Sequence, residues 1–374
     1  MTPTILLLGG TGAMGDYLRP LLAGKGFQVV VTSRADREPE PGVRFVKGNG
    51  HDGGFVNDLM DEIHPDAVID FMIYKTREFS ARRDALLNRT GHYLFLSSYR
   101  VFAGTTPIVE SSPRLIDTID DPAYLATDEY ALSKARGEDL LRQAPTRNWT
   151  ILRPSITYSK ARFQLGCLEA YTFLWRHLRG LPSAMPPEMM DKQTTMTWGG
   201  DVARMIAALI LNPAAFGEDF NVVTAEHRSW RDIVDIYREA IGLEVLPMPL
   251  EDYANLTGRA KTFYDRMFDR VMDNSKVLKA TGLRQAEFAP LAPTLLKEVQ
   301  AFLQHPARLT PNILHNIALD KACGTRIPLA AFNRYDRFRY WRANHPWAGR
   351  VFTDRFLAKA RKMVHLFKLK GRGT

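Results

Sequence analysis

The stretch Gly9-Gly10-Thr11-Gly12-Ala13-Met14-Gly15 follows directly on an unbroken apolar run, Ile5-Leu6-Leu7-Leu8. A short apolar run without alternation reads as a parallel strand buried on both faces. Glycines at 9, 12 and 15 then stand where that strand hands over to a helix. Gly9 suits a tight turn. Gly12 lets backbone approach a pyrophosphate with no Cβ between them. Gly15 lets the helix lie close to the strand. The free N–H groups of the helix N-terminus then face phosphate oxygens. Gly9, Thr11, Gly12, Ala13, Met14 and Gly15 are accordingly candidate dinucleotide-binding residues.

The following sequence keeps the alternation that this reading needs. A helix is expected from Gly15 to Ala23, with Leu18, Leu21 and Leu22 inward. Further strands are expected at Gln28–Thr32, Val43–Val46 and Ala67–Phe71. Strands alternating with helices specify an α/β protein with a parallel, doubly wound sheet. Hydrophobic residues make up 45% and charged residues 24% of 374 residues, enough for a large core and more than one lobe. Cys167 and Cys323 are the only cysteines, so no disulfide framework is implied and a reducing, cytoplasmic location is expected. The N-terminal apolar run is too short for a signal peptide, and no window reaches the roughly 20 apolar residues of a membrane span. No metal-ligand spacing stands out.

Chemistry enters at Asp-Glu-Tyr-Ala-Leu-Ser-Lys, where Tyr130 and Lys134 share a helix face. An ammonium near a phenol favours phenolate, and such a tyrosine can exchange a proton with a hydroxyl or carbonyl. Upstream, Tyr93–Leu96 reads as a buried strand with Ser97 and Ser98 at its C-terminal end, where open α/β sheets place ligands. Downstream come another strand ending in Arg153-Pro154, a helix opening at Asp201 and a strand at Phe220–Val223.

In order and spacing these stretches resemble the extended short-chain dehydrogenase/reductase family, the sugar-nucleotide epimerase/dehydratase/reductase group. The matching stretches are 9–15, 97–104, 130–134, 153–158 and 201–203, and the resemblance covers roughly residues 4 to 303. It implies a Rossmann-type domain over 1–158 plus about 196–224. A smaller substrate lobe comes from 159–195 and 225–303. It implies Ser98 as hydrogen-bond donor to the reacting oxygen, Tyr130 as acid/base, and Lys134 acting on Tyr130 and on the nicotinamide ribose. Ser97 is expected to be structural. A nucleotide sugar as substrate and a homodimer are implied likewise.

Departures from the family pattern narrow the chemistry. 4,6-Dehydratases of the family carry Asp-Glu after the catalytic Ser or Thr; Tyr99-Arg100 stand here, as candidate substrate contacts. No cysteine adjoins Ser98, and Cys167 reads as core. A 4-epimerase or a 4-keto reductase remains. After the second strand stand Ser33 and Arg34, where NAD enzymes place an acid on the ribose 2′-OH. Arg34 suits a 2′-phosphate, so NADP is favoured over NAD; under the NAD reading Asp36 would hold the ribose. Asn49 or Asp52 is expected near the adenine.

Residues 304–374 have no counterpart in the family core. The net charge of +10 from Arg334 onward contrasts with −1 for the rest. An amphipathic helix is expected from Thr353 to Lys368, with Phe356, Leu357, Met363, Val364 and Phe367 on one face. Packing on the enzyme or a second subunit, or contact with a membrane surface, would bury that face. Nucleic-acid contact is disfavoured. The competing reading of the whole chain is a catalytically silent RNA-binding or regulatory member of the superfamily.

Overall fold

Ile5 to Leu8 are completely buried because helices cover both faces of the strand they form. Ile5 and Leu7 pack in one apolar layer with Leu18, Val202 and Ile206, while Leu6 and Leu8 pack in the other with Val56, Phe79 and Leu86. That division is the two-residue side-chain period of a strand. The structure, a computed structural model, describes residues 2–160, 162–304 and 309–345.

The strand belongs to a seven-stranded parallel sheet of β1 (Thr4–Leu8), β2 (Gln28–Ser33), β3 (Val43–Lys47), β4 (Ala67–Asp70), β5 (His92–Leu96), β6 (Trp149–Arg153) and β7 (Glu218–Asn221). Its order is β7-β6-β5-β4-β1-β2-β3. Ile5 lies opposite Val29 of β2 and Ala67 of β4, so the chain order reverses between β1 and β4. Open α/β sheets bind ligands beyond the strand C-termini at such a switch. The expected strands are present, with β4 ending at Asp70 and β7 beginning two residues before Phe220.

The helices used below are α1 (Gly15–Gly24), α2 (Gly53–Ile63), α3 (Thr76–Asn88), α4 (Tyr130–Arg142), α5 (Ala170–His177), α6 (Gly199–Leu209), α7 (Trp230–Ile241), α8 (Leu291–Gln304), α9 (Ile313–Cys323) and α10 (Arg334–Ala343). Leu18 and Leu22 of α1 are buried as expected; Leu21 is half-buried. Beside the sheet, Ser183–Met185 pairs with Val245–Pro247, and Gln193–Thr194 with Arg228–Ser229. These pairings interleave two distant segments into a second apolar core around Phe173, Trp230 and Tyr237.

The C-terminal extension is docked onto this second core through α9 and α10. Fully buried Arg176 of α5 donates to Asp320 of α9 at 2.9 Å and to the Pro182 carbonyl at 2.7 Å. Trp175 stacks on Phe332 at 5.5 Å, and Phe332 packs on Tyr340. A residue-304 boundary thus separates helices that share one apolar cluster with Trp175. The amphipathic helix expected over 353–368 lies outside the described residues, as does Trp347. No helix among the described residues is long and apolar enough to cross a membrane.

Removing one partner of a buried ion pair leaves an uncompensated charge, at a cost of about 3–5 kcal/mol. Asp320→Ala should therefore lower the urea midpoint clearly, whereas Asp191→Ala, in the exposed Arg231 pair, should barely move it. Equal midpoints for both variants and the wild type would show that the extension is not docked through Arg176.

Candidate functional site

The C-terminal ends of β1, β4, β5 and β6 open into a cavity of about 380 Å³. The turn after β1 shapes one side. Gly9 has φ +72°, and a Cβ on Gly15 would stand 2.2 Å from the Gly10 carbonyl oxygen. A Cβ on Gly12 would meet nothing within 4 Å, so its absence leaves open space over the loop. Met14 provides no side-chain cap for α1. No side chain therefore competes at the start of α1, although the Asp16 and Tyr17 amides donate to the Gly12 and Met14 carbonyls at 3.0 and 3.2 Å.

Ala13 and Met14 line the same cavity, as do Ser98, Tyr130 and Lys134. The structure therefore brings the predicted catalytic set to the glycine loop. Tyr130 and Lys134 lie one turn apart at the start of α4, while Ser98 follows β5. Burial raises the Tyr130 phenol above its ordinary range; the Ser98 hydroxyl and the charges of Arg100 and Arg162 pull it back. Arg100 centres its guanidinium 5.3 Å from the Tyr130 ring. The Lys134 ammonium is 5.9 Å from that ring and donates to the Met72 carbonyl at 3.1 Å. Burial pushes Lys134 down to about 8, against the opposing pull of Asp70 and Glu138. The pairing read from the Tyr-x-x-x-Lys spacing is thus supplemented by a second, closer cation.

Ser97 also lines the cavity, but its hydroxyl donates to buried Glu138 at 2.6 Å. Tyr99 and Arg100 line the cavity but are largely committed elsewhere. The Tyr99 hydroxyl donates to Asp265 at 3.1 Å and accepts from Arg266. Arg100 pairs with Glu129 at 2.9 Å and Asp265 at 3.2 Å. Asp265 sits on a single turn of π-helix, Thr262–Arg266. Burial would raise its carboxyl, but Arg266, Arg270 and Arg100 outweigh burial and hold it below the usual range.

A second hollow of about 280 Å³ adjoins the first, sharing Gly9, Phe71 and Ile73. Thr11, Ser33, Arg34 and Asn49 line it, and none of the described residues lining it is acidic. Ser33 is buried and hydrogen-bonds the Ala35 carbonyl, leaving Arg34 as its exposed cation. Asp36 is turned away onto Lys47 at 2.7 Å. Asp52, expected near the adenine, caps α2 by accepting from the Gly54 and Phe55 amides, and does not line the hollow. An aspartate that caps a helix has the same local sequence as one that meets a ligand. Ile73, between the hollows, is 60% exposed, an apolar face open to a flat ring.

Sequence reasoning missed Arg162, Gln164, Glu169, Lys261 and Arg266, all of which line the cavity. They come from 162–169 and 261–266, beside the sheet, where no local motif marks them.

The model of the NAD dependent epimerase/dehydratase family matches residues 5–223. The chain belongs to that family. No curated protein sequence matches it significantly. Solved structures of similar fold include the epimerase Mth375 of Methanothermobacter thermautotrophicus, with TM-score 0.61 at 15% identity over 81% of this chain and 93% of that one. The UDP-glucose 4-epimerase of Thermus thermophilus, solved with NAD, gives 0.60 at 20% identity over 81% and 100%. WbmG of Bordetella bronchiseptica, solved with NAD and UDP, gives 0.61 at 18% over 82% and 96%. At these identities the likeness is one of fold.

A cation beside a phenol lowers its pKa, so removing it raises the pKa. Arg100→Gln should shift the Tyr130 titration, read by tyrosinate absorbance difference against Tyr130→Phe, to higher pH. An unchanged titration would show that Arg100 does not tune Tyr130.

Proposed function

We propose that this chain transfers hydride at carbon 4 of a nucleotide-activated sugar, as a 4-epimerase or a 4-keto reductase. One observation carries the reading: Ser98, Tyr130 and Lys134 converge on the cavity that the glycine loop opens. A binding protein has no need to assemble all three, which weighs against the silent alternative.

The residues fit a dinucleotide. The open space at Gly12 and the uncapped start of α1 suit a pyrophosphate. The second hollow suits the adenosine end. Arg34, with no acid among the described residues of that hollow, favours NADP(H) over NAD(H), although similar folds have been solved with NAD. When bound, the dinucleotide supplies the hydride acceptor and donor.

The chain's own groups do the rest. Tyr130, as phenolate, takes the proton of the sugar hydroxyl; as phenol, it returns a proton to the carbonyl oxygen. Ser98 donates a hydrogen bond to that oxygen and orients it. Arg100 and Lys134 favour the phenolate. Loss of the 6-hydroxyl needs a free carboxylate or acid near C5 and C6. Tyr99 and Arg100 stand at the dehydratase positions. Glu169, the one acid among the described residues lining the cavity, is engaged by Gln164 at 2.5 Å and Lys261 at 3.4 Å.

Tyr130→Phe should cut turnover by about 10²- to 10⁴-fold while dinucleotide binding persists. Retention of most activity would remove Tyr130 from the acid/base role. Arg34→Ala should weaken NADPH about tenfold, the low end for a charge-assisted pair because the position is open to solvent, and leave NADH binding alone. Equal NADPH affinity in the two proteins would contradict the NADP preference.

A further inference from the structure

Six large apolar side chains are exposed among the described residues. Ile73 lies between the two hollows. The other five are Tyr171, Leu178, Leu314, Leu329 and Tyr335. All of them belong to α5, to the residue that ends it, or to the extension that docks against it. Single exposed leucines carry little meaning, but these five share one seam. Trp175 and Phe332 stack across it at 5.5 Å. Leu178 follows Trp175 by three residues, and the Leu329 carbonyl accepts from the Phe332 amide at 3.2 Å. At the other end, Thr172 beside Tyr171 meets His315 beside Leu314 at 3.3 Å. Trp175, Ile313, Phe332 and Tyr340 close the seam, and the exposed residues border it.

The exposed charges on these segments have one sign. Residues 170–187 contain no acid. Asp320 and Asp336 are the only acids of 309–345, and both are buried, against Arg176 and Asn333. Arg179, Lys321, Arg326, Arg334 and Arg337 are exposed. Arg179 lies over the Trp175 ring at 3.8 Å. The sequence that follows, 346–374, adds eight Lys or Arg against Asp354 alone.

Leucines and arginines together select the partner. A nucleic acid uses cations and stacking rings, and gains little from Leu178, Leu314 and Leu329. A second copy of the same face would set arginines against arginines. An anionic lipid bilayer takes both groups, the cations at its phosphates and the leucines at its acyl boundary.

We propose that the seam between α5 and the extension is a docking face for an anionic membrane surface. Leu178, Leu314 and Leu329 enter the lipid, and the exposed arginines meet the headgroups. The chain would lie on the bilayer without crossing it. Hydride transfer in the cavity does not depend on this contact, so the two proposals stand or fall separately.

The test sediments the full-length protein with vesicles of phosphatidylcholine, and of phosphatidylcholine mixed with phosphatidylglycerol, at low and high salt. Wild type should bind the anionic vesicles at least about tenfold more tightly than the neutral ones, and salt should narrow the difference. Arg326→Gln with Arg334→Gln should weaken binding about 10- to 30-fold, as expected for two basic residues at the surface. Leu314→Ser with Leu329→Ser should weaken it about tenfold, at high salt as well. Arg231→Gln, in the exposed pair with Asp191, should change nothing. All four proteins keep residues 346–374, so that segment contributes equally to each. Urea midpoints confirm that the surface variants remain folded. Wild-type binding by both double variants would place any membrane contact elsewhere and overturn the proposal. Equal affinity for the two vesicle types, or none for either, would overturn it too. Without vesicle binding, a solution dimer that the leucine variant abolishes would assign the face to a second copy. Likewise, RNA binding lost with the arginines and kept without the leucines would assign it to nucleic acid.

Discussion

Glu138 and Arg153 form a fully buried, two-pronged ion pair with both contacts at 2.8 Å. The site depends on it. Glu138 lies one turn beyond Lys134 and two beyond Tyr130 on the same face of α4. Arg153 ends β6, and Ser97, next to Ser98, donates to the same carboxylate. One carboxylate thereby sets the helix that carries Tyr130 and Lys134 against the strand ends that carry Ser98 and Pro154. Burial alone would raise the Glu138 carboxyl, but Arg153 and Ser97 more than offset that and keep it ionised. Breaking such a pair costs about 3–5 kcal/mol and would also free the helix to shift. A shift of about 1 Å is enough to spoil proton transfer.

Two kinds of electrostatics meet above this frame. On the sheet side, Lys134 is buried near Asp70, whose carboxylate accepts from Tyr74, Tyr93 and the Met72 amide. That acid raises the Lys134 ammonium against the lowering by burial. On the lobe side, Asp265 gathers three arginines and aims Arg100 at the Tyr130 ring. A π-turn places Asp265 and Arg266 side by side, and such turns often mark functional positions.

What could be read from the sequence followed from locality. The turn at 9–15 and the Tyr130–Lys134 spacing are contained within a few residues, and the sheet strands are runs of apolar residues. The same locality misled at Asp52, which caps α2 rather than meeting the second hollow. Tyr99 and Arg100 looked like substrate contacts because they follow Ser98. Their partners Asp265 and Arg266 lie more than 160 residues away, beyond any local pattern. Arg162 and Lys261 were invisible for that reason. Where the extension docks had no local signal either, because its buried anchor, Arg176–Asp320, joins residues 144 apart.

The central claim is that the cavity between the glycine loop and Tyr130 moves hydride from a sugar ring carbon. A nucleotide sugar deuterated at C4 and mixed with stoichiometric enzyme and oxidised dinucleotide tests it in one turnover. The account expects the deuterium on the dinucleotide or back on the sugar, with a primary isotope effect on the step. Deuterium released to water, with the dinucleotide bound but never reduced, would contradict it.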